Sequence, residues 1–290
     1  MKDFFEYLNP GETDREWGVF LNVAGKASIG PGMIYPSREH PTGYYYTWKK
    51  GRILDEFQLI YILKGNGILE NELGQFELEA GSVVLIRPNE YHRYRPLLET
   101  GWVEYFLGFN GHLVKHFYEQ ATFLMQESVL RYGIQDQILE CFHRIFAGVE
   151  SERPGFQQIA AGQLIELLGY LVAYQKRGEF SGKPIEKIIQ RALLHMRENV
   201  EANIDLQDLA AQYHVTYANF RKMFKKYTGM SPRQYHLELK MRRAKELVLT
   251  SDKSIMQISE ELQFESIHYF SRYFRKKLGY SPTELRKTIS

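Results

Sequence analysis

The sequence predicts an α+β chain of two domains. The N-terminal domain is a β-sandwich or barrel with packed helices. The C-terminal domain is all-α, with two helix-turn-helix units joined by a long helix. Three observations carry this. Short β-branched and aromatic runs between turn residues fill residues 44–109. From residue 111 the apolar spacing becomes helical. The C-terminal part of the chain repeats itself with a shift of 50 residues.

Length and composition agree. At roughly 100–200 residues per domain, 290 residues make two domains, each long enough for its own core. A composition of 44% hydrophobic and 25% charged residues excludes a disordered or fibrous chain. The single cysteine, Cys141, excludes an internal disulfide and a cysteine-cluster zinc site, and fits a reducing compartment. The longest mostly apolar stretch, 164–174, has 11 residues, against about 20 for a membrane span. The start, MKDFFEYLNP, lacks the regions of a signal peptide. The expectation is a cytoplasmic protein with no membrane contact. The net charge of +2 conceals an asymmetry. Residues 183–290 carry 20 Lys+Arg and 12 Asp+Glu, a surplus of +8, which leaves −6 for residues 1–182. The basic half is the one suited to a polyanion.

Taken in order, strands are expected at 44–48, 57–63, 82–86 and 103–109, separated by turns at Lys64-Gly65-Asn66-Gly67, Leu73-Gly74, Ala80-Gly81 and Arg87-Pro88-Asn89. Gly65-Asn66-Gly67 reads as a hairpin turn. Tyr44-Tyr45-Tyr46 places Tyr45 opposite its neighbours. Leu164, Leu167, Leu168, Leu171 and Val172 follow a helical period and suit packing on the strands or a second subunit. Polar, glycine-bearing 176–184 reads as the linker between domains 1–175 and 185–290. Ile185, Ile188, Ile189, Ala192, Leu193 and Met196 then form an apolar helical stripe.

The repeat lays Phe220 on Phe270, Phe224 on Phe274, Lys226 on Lys276, Gly229 on Gly279 and Ser231-Pro232 on Ser281-Pro282. In each copy a short amphipathic helix precedes a tight turn. A second helix follows behind a hydroxyl cap, Thr216 or Ser266. That helix buries aromatics and carries Arg221, Lys222, Lys225 and Lys226, or Arg272, Arg275, Lys276 and Lys277, on its other faces. Glycine supplies the helix stop and Ser-Pro the next start. Residues 232–249, without a breaker, make one helix of about 27 Å, which holds two recognition helices about one DNA turn apart.

These residues resemble the AraC/XylS-type DNA-binding domain over roughly 185–288. The resemblance implies a seven-helix domain with one helix-turn-helix per major-groove segment of double-stranded DNA. Carried over position by position, base contacts fall on Ala218, Arg221 and Lys222 in copy one, and on Ile267, His268, Tyr269 and Arg272 in copy two. Arg221 and Arg272 suit bidentate reading of guanine, and Ala218 and Ile267 offer only apolar contact. Lys225, Lys226, Arg275 and Lys276 suit phosphates. The sequence departs from the family at Gln263, where a glycine is usual. A residue with a Cβ is strained there if φ is positive.

The N-terminal half, at 57–67 and 76–92, is similar to the cupin-like sensor domain of the same family. This implies a small β-barrel with an effector pocket, helices that form a homodimer, an N-terminal arm in the sugar-responsive members and contact with RNA polymerase. Matching the family's ligand positions gives Arg52 (Lys50 is the alternative), Tyr94, Glu104 and Phe106, with Trp102 nearby. Charged groups beside aromatic planes suit a carbohydrate. By family analogy, residues 1–20 form the arm, with Phe4, Phe5, Tyr7 and Trp17 as lid aromatics. Tyr91-His92-Arg93-Tyr94 has one histidine where a metal cupin needs a His-x-His pair, so His92 reads as a structural residue and no metal or cofactor is expected. The nucleophile-elbow, phosphate-loop and dinucleotide fingerprints are missing. The expected function is a DNA-binding transcription regulator, not an enzyme, responding to a sugar or sugar derivative. The rivals are a ligand-independent or non-sugar-responsive regulator and a cupin-type enzyme with a helical appendage.

Overall fold

In the computed structural model, which describes residues 3–36, 44–120 and 127–288, the chain divides into two units, Met1–Arg177 and Gly178–Ser290. The first unit begins with β1 (Phe4–Tyr7), α1 (Glu12–Glu16) and β2 (Phe20–Ile29). It continues through β3 (Phe57–Gly65), β4 (Gly67–Asn71), β5 (Gly74–Leu78), β6 (Ser82–Ile86), β7 (His92–Pro96) and β8 (Trp102–Asn110). Then come α2 (His112–Glu119), β9 (Val129–Arg131), α3 (Asp136–Ser151) and α4 (Phe156–Phe180), whose last three residues fall in the second unit. One antiparallel sheet has the order β1-β2-β8-β3-β6-β9 and a second the order β5-β4-β7.

Alternation along the strands builds two layers from the larger sheet. Leu21, Leu59, Tyr61, Tyr105 and Leu107 face one way and pack with Phe142, Ile145, Leu164 and Leu168 of α3 and α4. Val23, Ile60, Ile62, Val84 and Phe106 face the other way and share a core with Leu69 and Tyr94 of the smaller sheet. A sheet covered on both sides reads as continuous apolar runs, which is why β3 and β6 are legible as strands.

Three features differ from expectation. The two sheets share a core but do not close into a barrel among the described residues; apart from the sheet ladders, Arg52 forms an isolated bridge with His92 at the start of β7. Gly65-Asn66-Gly67 is no hairpin turn. It is the corner at which the chain leaves one sheet for the other, and Gly65 has φ +83° there, with space for a Cβ blocked by the Gly101 carbonyl at 2.1 Å. Residues 44–48 are not a strand; they are a loop that still buries Tyr46 and exposes Tyr45. Within 176–184, α4 runs on to Phe180, because Lys, Arg and Glu favour helix and a single Gly178 does not stop it. Gly182, with φ +73°, and Pro184 make the break.

The second unit holds α5 (Pro184–Glu198), α6 (Leu206–Gln212), α7 (Tyr217–Thr228), α8 (Pro232–Thr250), α9 (Ile255–Glu261), α10 (Ile267–Leu278) and α11 (Pro282–Lys287). The caps fall where the repeat puts them. The hydroxyls of Thr216, Ser231, Ser266 and Ser281 accept from the backbone N–H groups of Asn219, Gln234, Tyr269 and Glu284. Gly229 and Gly279 stop α7 and α10 at φ +84° and +86°. Each copy has its own core. Ile189, Leu209, Phe220 and Phe224 pack together in the first, and Val248, Ile258, Phe270 and Phe274 in the second.

Gln263 does adopt a left-handed conformation, at φ +53°. His214, at the same point of the first turn, has φ +55°. A side chain there costs roughly 1–2 kcal/mol. Gln263→Gly is therefore expected to raise stability by up to about 1 kcal/mol and Gln263→Val to lower it by more than that, as read by equilibrium denaturation of the two variants.

Candidate effector cavity and DNA-binding faces

The inner face of β8 points Trp102, Glu104 and Phe106, two residues apart, toward the smaller sheet. Glu104 is 2% exposed. Its Oε1 accepts from the Tyr35 hydroxyl at 2.9 Å, while Oε2 and the neighbouring Trp102 Nε1 are buried with no hydrogen-bond partner among the described residues. Burial pushes the Glu104 carboxyl up to about 7, against the opposing pull of the Tyr35 hydroxyl and the Arg52 charge.

Arg52 approaches from the other side. Its Nη1 donates to the Tyr44 carbonyl at 2.8 Å, Nη2 to the Tyr94 hydroxyl at 2.7 Å and Nε to His92 Nε2 at 3.0 Å. The guanidinium also lies 4.9 Å from the Tyr46 ring centre and 5.3 Å from that of Tyr94. The guanidinium has only protons to offer, so His92 Nε2 accepts, and Nδ1, 2.9 Å from the Glu90 carbonyl, carries the ring proton. Burial and the adjacent Arg52 charge lower the His92 pKa to about 3, so the ring stays neutral. Glu56, 2% exposed, receives the Tyr44 hydroxyl at 3.0 Å and the amides of Asn22 and Gln58, which fastens Tyr44 in the wall.

Arg52, Tyr94, Glu104 and Phe106 thus surround one cavity, together with Tyr7, Tyr35, Tyr44, Tyr46 and Gln58. Its volume is about 20 Å³, room for roughly one water molecule. Lys50, the alternative to Arg52, is exposed and away from it. Of the arm aromatics, Tyr7 meets Tyr44 in a tilted contact at 4.9 Å and Phe5 meets Phe106 at 5.9 Å. Phe4 turns to Phe146 on the helix side, and Trp17 is 56% exposed. Residues 1 and 2 of the expected arm lie outside the described residues. No group of three or more His, Cys, Asp or Glu side chains suited to a metal gathers among the described residues.

In the second unit, α7 buries Phe220 and Phe224 and exposes Ala218, Arg221, Lys222, Lys225 and Lys226. Helix α10 buries Phe270 and Phe274 and exposes Ile267, His268, Arg272, Arg275 and Lys276, with Tyr269 half-buried. The Arg272 guanidinium lies 6.0 Å over the Tyr269 ring, and Arg275 pairs with Glu284 at 3.7 Å.

Two family profiles match this chain: an AraC-like ligand binding domain over residues 31–168 and a helix-turn-helix domain over 209–288. The chain belongs to the AraC/XylS family. The MmsAB operon regulatory protein of Pseudomonas aeruginosa is 26% identical, over 81% of this chain and 76% of its own. The lactose operon transcription activator of Staphylococcus xylosus is 23% identical, over 86% and 88%. The Msm operon regulatory protein of Streptococcus mutans is 22% identical, over 82% and 86%. As an AraC-family transcription regulator the chain joins a ligand-binding domain to a domain that binds double-stranded DNA, and its relatives are regulators rather than enzymes. No helix among the described residues is long and apolar enough to cross a membrane.

The AraC-family ligand-binding domain also recruits residues that pattern reading passed over. Tyr35 and Gln58 carried no signal. Tyr46 lay in a noticed tyrosine run whose inward face the sequence left open. His92, expected as structural, orients Arg52. The raised Glu104 pKa has a consequence for stability. A carboxyl whose folded pKa lies above its unfolded value contributes stability at low pH that is lost as pH rises toward the folded pKa, here between about 4.5 and 7. Glu104→Gln is expected to flatten that decline, at most on the order of 3 kcal/mol, in melts recorded from pH 5 to pH 8. A variant with the wild-type slope contradicts the assignment.

Proposed function

We propose that this regulator responds to a sugar or sugar derivative bound between Arg52 and Glu104. The observation that carries it is the convergence of a guanidinium, a carboxyl and five tyrosines on one small cavity of the ligand-binding domain. Hydrogen-bonding groups that alternate with ring faces match a ligand polar at its rim and apolar on its faces. Relatives named for a lactose operon and an Msm operon support the class. The cavity as it stands holds no sugar ring, so binding must displace part of the wall, which includes the Tyr7–Tyr44 contact between β1 and the 44–48 loop. A ligand that favours the displaced arrangement shifts the equilibrium by its differential affinity. In the same reading the protein acts as a homodimer through the helices that follow the sheets, where α4 leaves Ile159 and Ile165 exposed, and regulates through contact with RNA polymerase.

Base recognition falls on Ala218, Arg221 and Lys222 of α7 and on Ile267, His268, Tyr269 and Arg272 of α10. Lys225, Lys226, Arg275 and Lys276 meet phosphates. Their exposure on faces opposite the buried phenylalanines supports this. A second reading, a regulator that needs no effector, is favoured by the small volume of the cavity.

Thermal unfolding of the full chain against mono- and oligosaccharides, polyols and uronic acids separates the two. A ligand at 100 times its Kd stabilises by about 2.7 kcal/mol, and Arg52→Met is expected to abolish the shift. Stability unchanged by every compound favours the second reading. For the DNA faces, Arg221→Ala and Arg272→Ala are each expected to weaken specific binding by about 1–3 kcal/mol in titrations of labelled duplex. Unchanged affinity removes them as readers.

A further inference from the structure

The second unit has an open groove that, of the recognition residues above, only Tyr269 lines, with a volume of about 440 Å³. Its floor is α8, which contributes Arg233, His236 and Lys240, and its walls include Tyr217 of α7 and Tyr269 of α10. Both recognition helices therefore open onto it. Lys240 is only 6% exposed yet forms no ion pair among the described residues; its ammonium lies 5.7 Å from the Phe264 ring centre. Exposed Arg233 likewise has no carboxylate partner there. Neighbouring cations do: Arg243 holds Glu201 at 3.1 Å and Glu246 at 3.0 Å, and Lys277 holds Glu238. His236, 7% exposed, has an Nε2 with no hydrogen-bond partner among the described residues. Buried charges are ordinarily paired, so this floor is a cationic surface lacking its anion. Burial lowers the Lys240 pKa, and an incoming anion would reverse that.

Geometry indicates which anion. Recognition helices in successive major-groove segments of one duplex face stand about 34 Å apart. Between them the minor groove, about 6 Å wide, crosses that face with a phosphate backbone on each side. An element between the two helices meets those backbones, and here that element is α8. We propose that Arg233 and Lys240 receive the phosphates that flank the central minor groove. The domain then grips DNA at three places, and the middle one reads how readily the central base pairs narrow or bend. This rests on the seating of α7 and α10 in major grooves, which Arg221 and Arg272 test separately. Of the two carboxylates at the rim, Asp205 is engaged by the N–H groups of Gln207 and Asp208 at 2.7 and 3.1 Å, and Glu265 is left to oppose the phosphates.

The test uses the full chain and a duplex that it selects from a random-sequence pool. Phosphates flanking the central minor groove are replaced one at a time by neutral methylphosphonates. Binding is compared for the wild type, Lys240→Met and Arg233→Gln, with thermal unfolding as the check on folding. The wild type is expected to lose roughly tenfold or more at a contacted phosphate, and the matching variant to lose nothing further there. The slope of log K against log salt should fall by about 0.9 per variant. A variant that loses as much on the neutral backbone as on the charged one, and keeps the wild-type salt slope, overturns the proposal. If Lys240→Met fails to fold, Arg233→Gln decides by the same criteria.

Discussion

The ligand-binding half depends on the period of two along β8. Tyr105 and Leu107 lock the sheet onto α3 and α4, while Glu104 and Phe106 on the same strand face the cavity. A register slip of one residue would bury the wrong set on each side and leave a carboxylate against the helices. Antiparallel pairing with β2 and β3 along nearly the whole strand excludes that slip. The polar groups of the cavity are thus placed by the apolar packing behind them. Arg52 enters from outside the strands, and its direction is set by a neutral histidine, a backbone carbonyl and a tyrosine hydroxyl rather than by a carboxylate. Its charge remains available to whatever enters.

The DNA-binding half uses local chemistry more than long-range pairing. Each helix start after α5 has a hydroxyl or carboxylate cap, each recognition helix ends on a left-handed glycine, and paired phenylalanines one turn apart anchor each copy. What the two copies share is α8. Its length fixes the separation of the recognition helices, and its Arg233 and Lys240 line the groove onto which both open.

Legibility followed the same division. The C-terminal half was readable to within a residue or two, because caps, glycine stops and phenylalanine spacing are local signals and occur twice. The expectation at Gln263 held, although its partner His214 went unnoticed because histidine replaces no expected glycine there. In the N-terminal half, β2 was missed: Phe20–Ile29 mixes Gly, Ala, Lys and Asn with few β-branched residues, and its burial comes from two layers that exist only after folding. The tyrosine run at 44–46 has strand propensity, but its alternation serves a loop folded against Tyr94. Arg52, Tyr94, Glu104 and Phe106 came from family resemblance; their convergence on one cavity became visible only in the structure. Tyr35 and Gln58 join it from a loop and a strand far apart in sequence, which no periodicity reveals.

Separate cores in the two helix-turn-helix units bear on kinetics. The hydrophobic cluster around Phe220 shares no residue with that around Phe270, so one unit can loosen without unmaking the other. A regulator built this way leaves its operator through a half-attached state. From there rebinding is intramolecular and fast, and a competitor able to occupy the vacated half-site shortens the residence time in proportion to its own concentration. Turnover on DNA then responds to the crowd of other binders as well as to the effector.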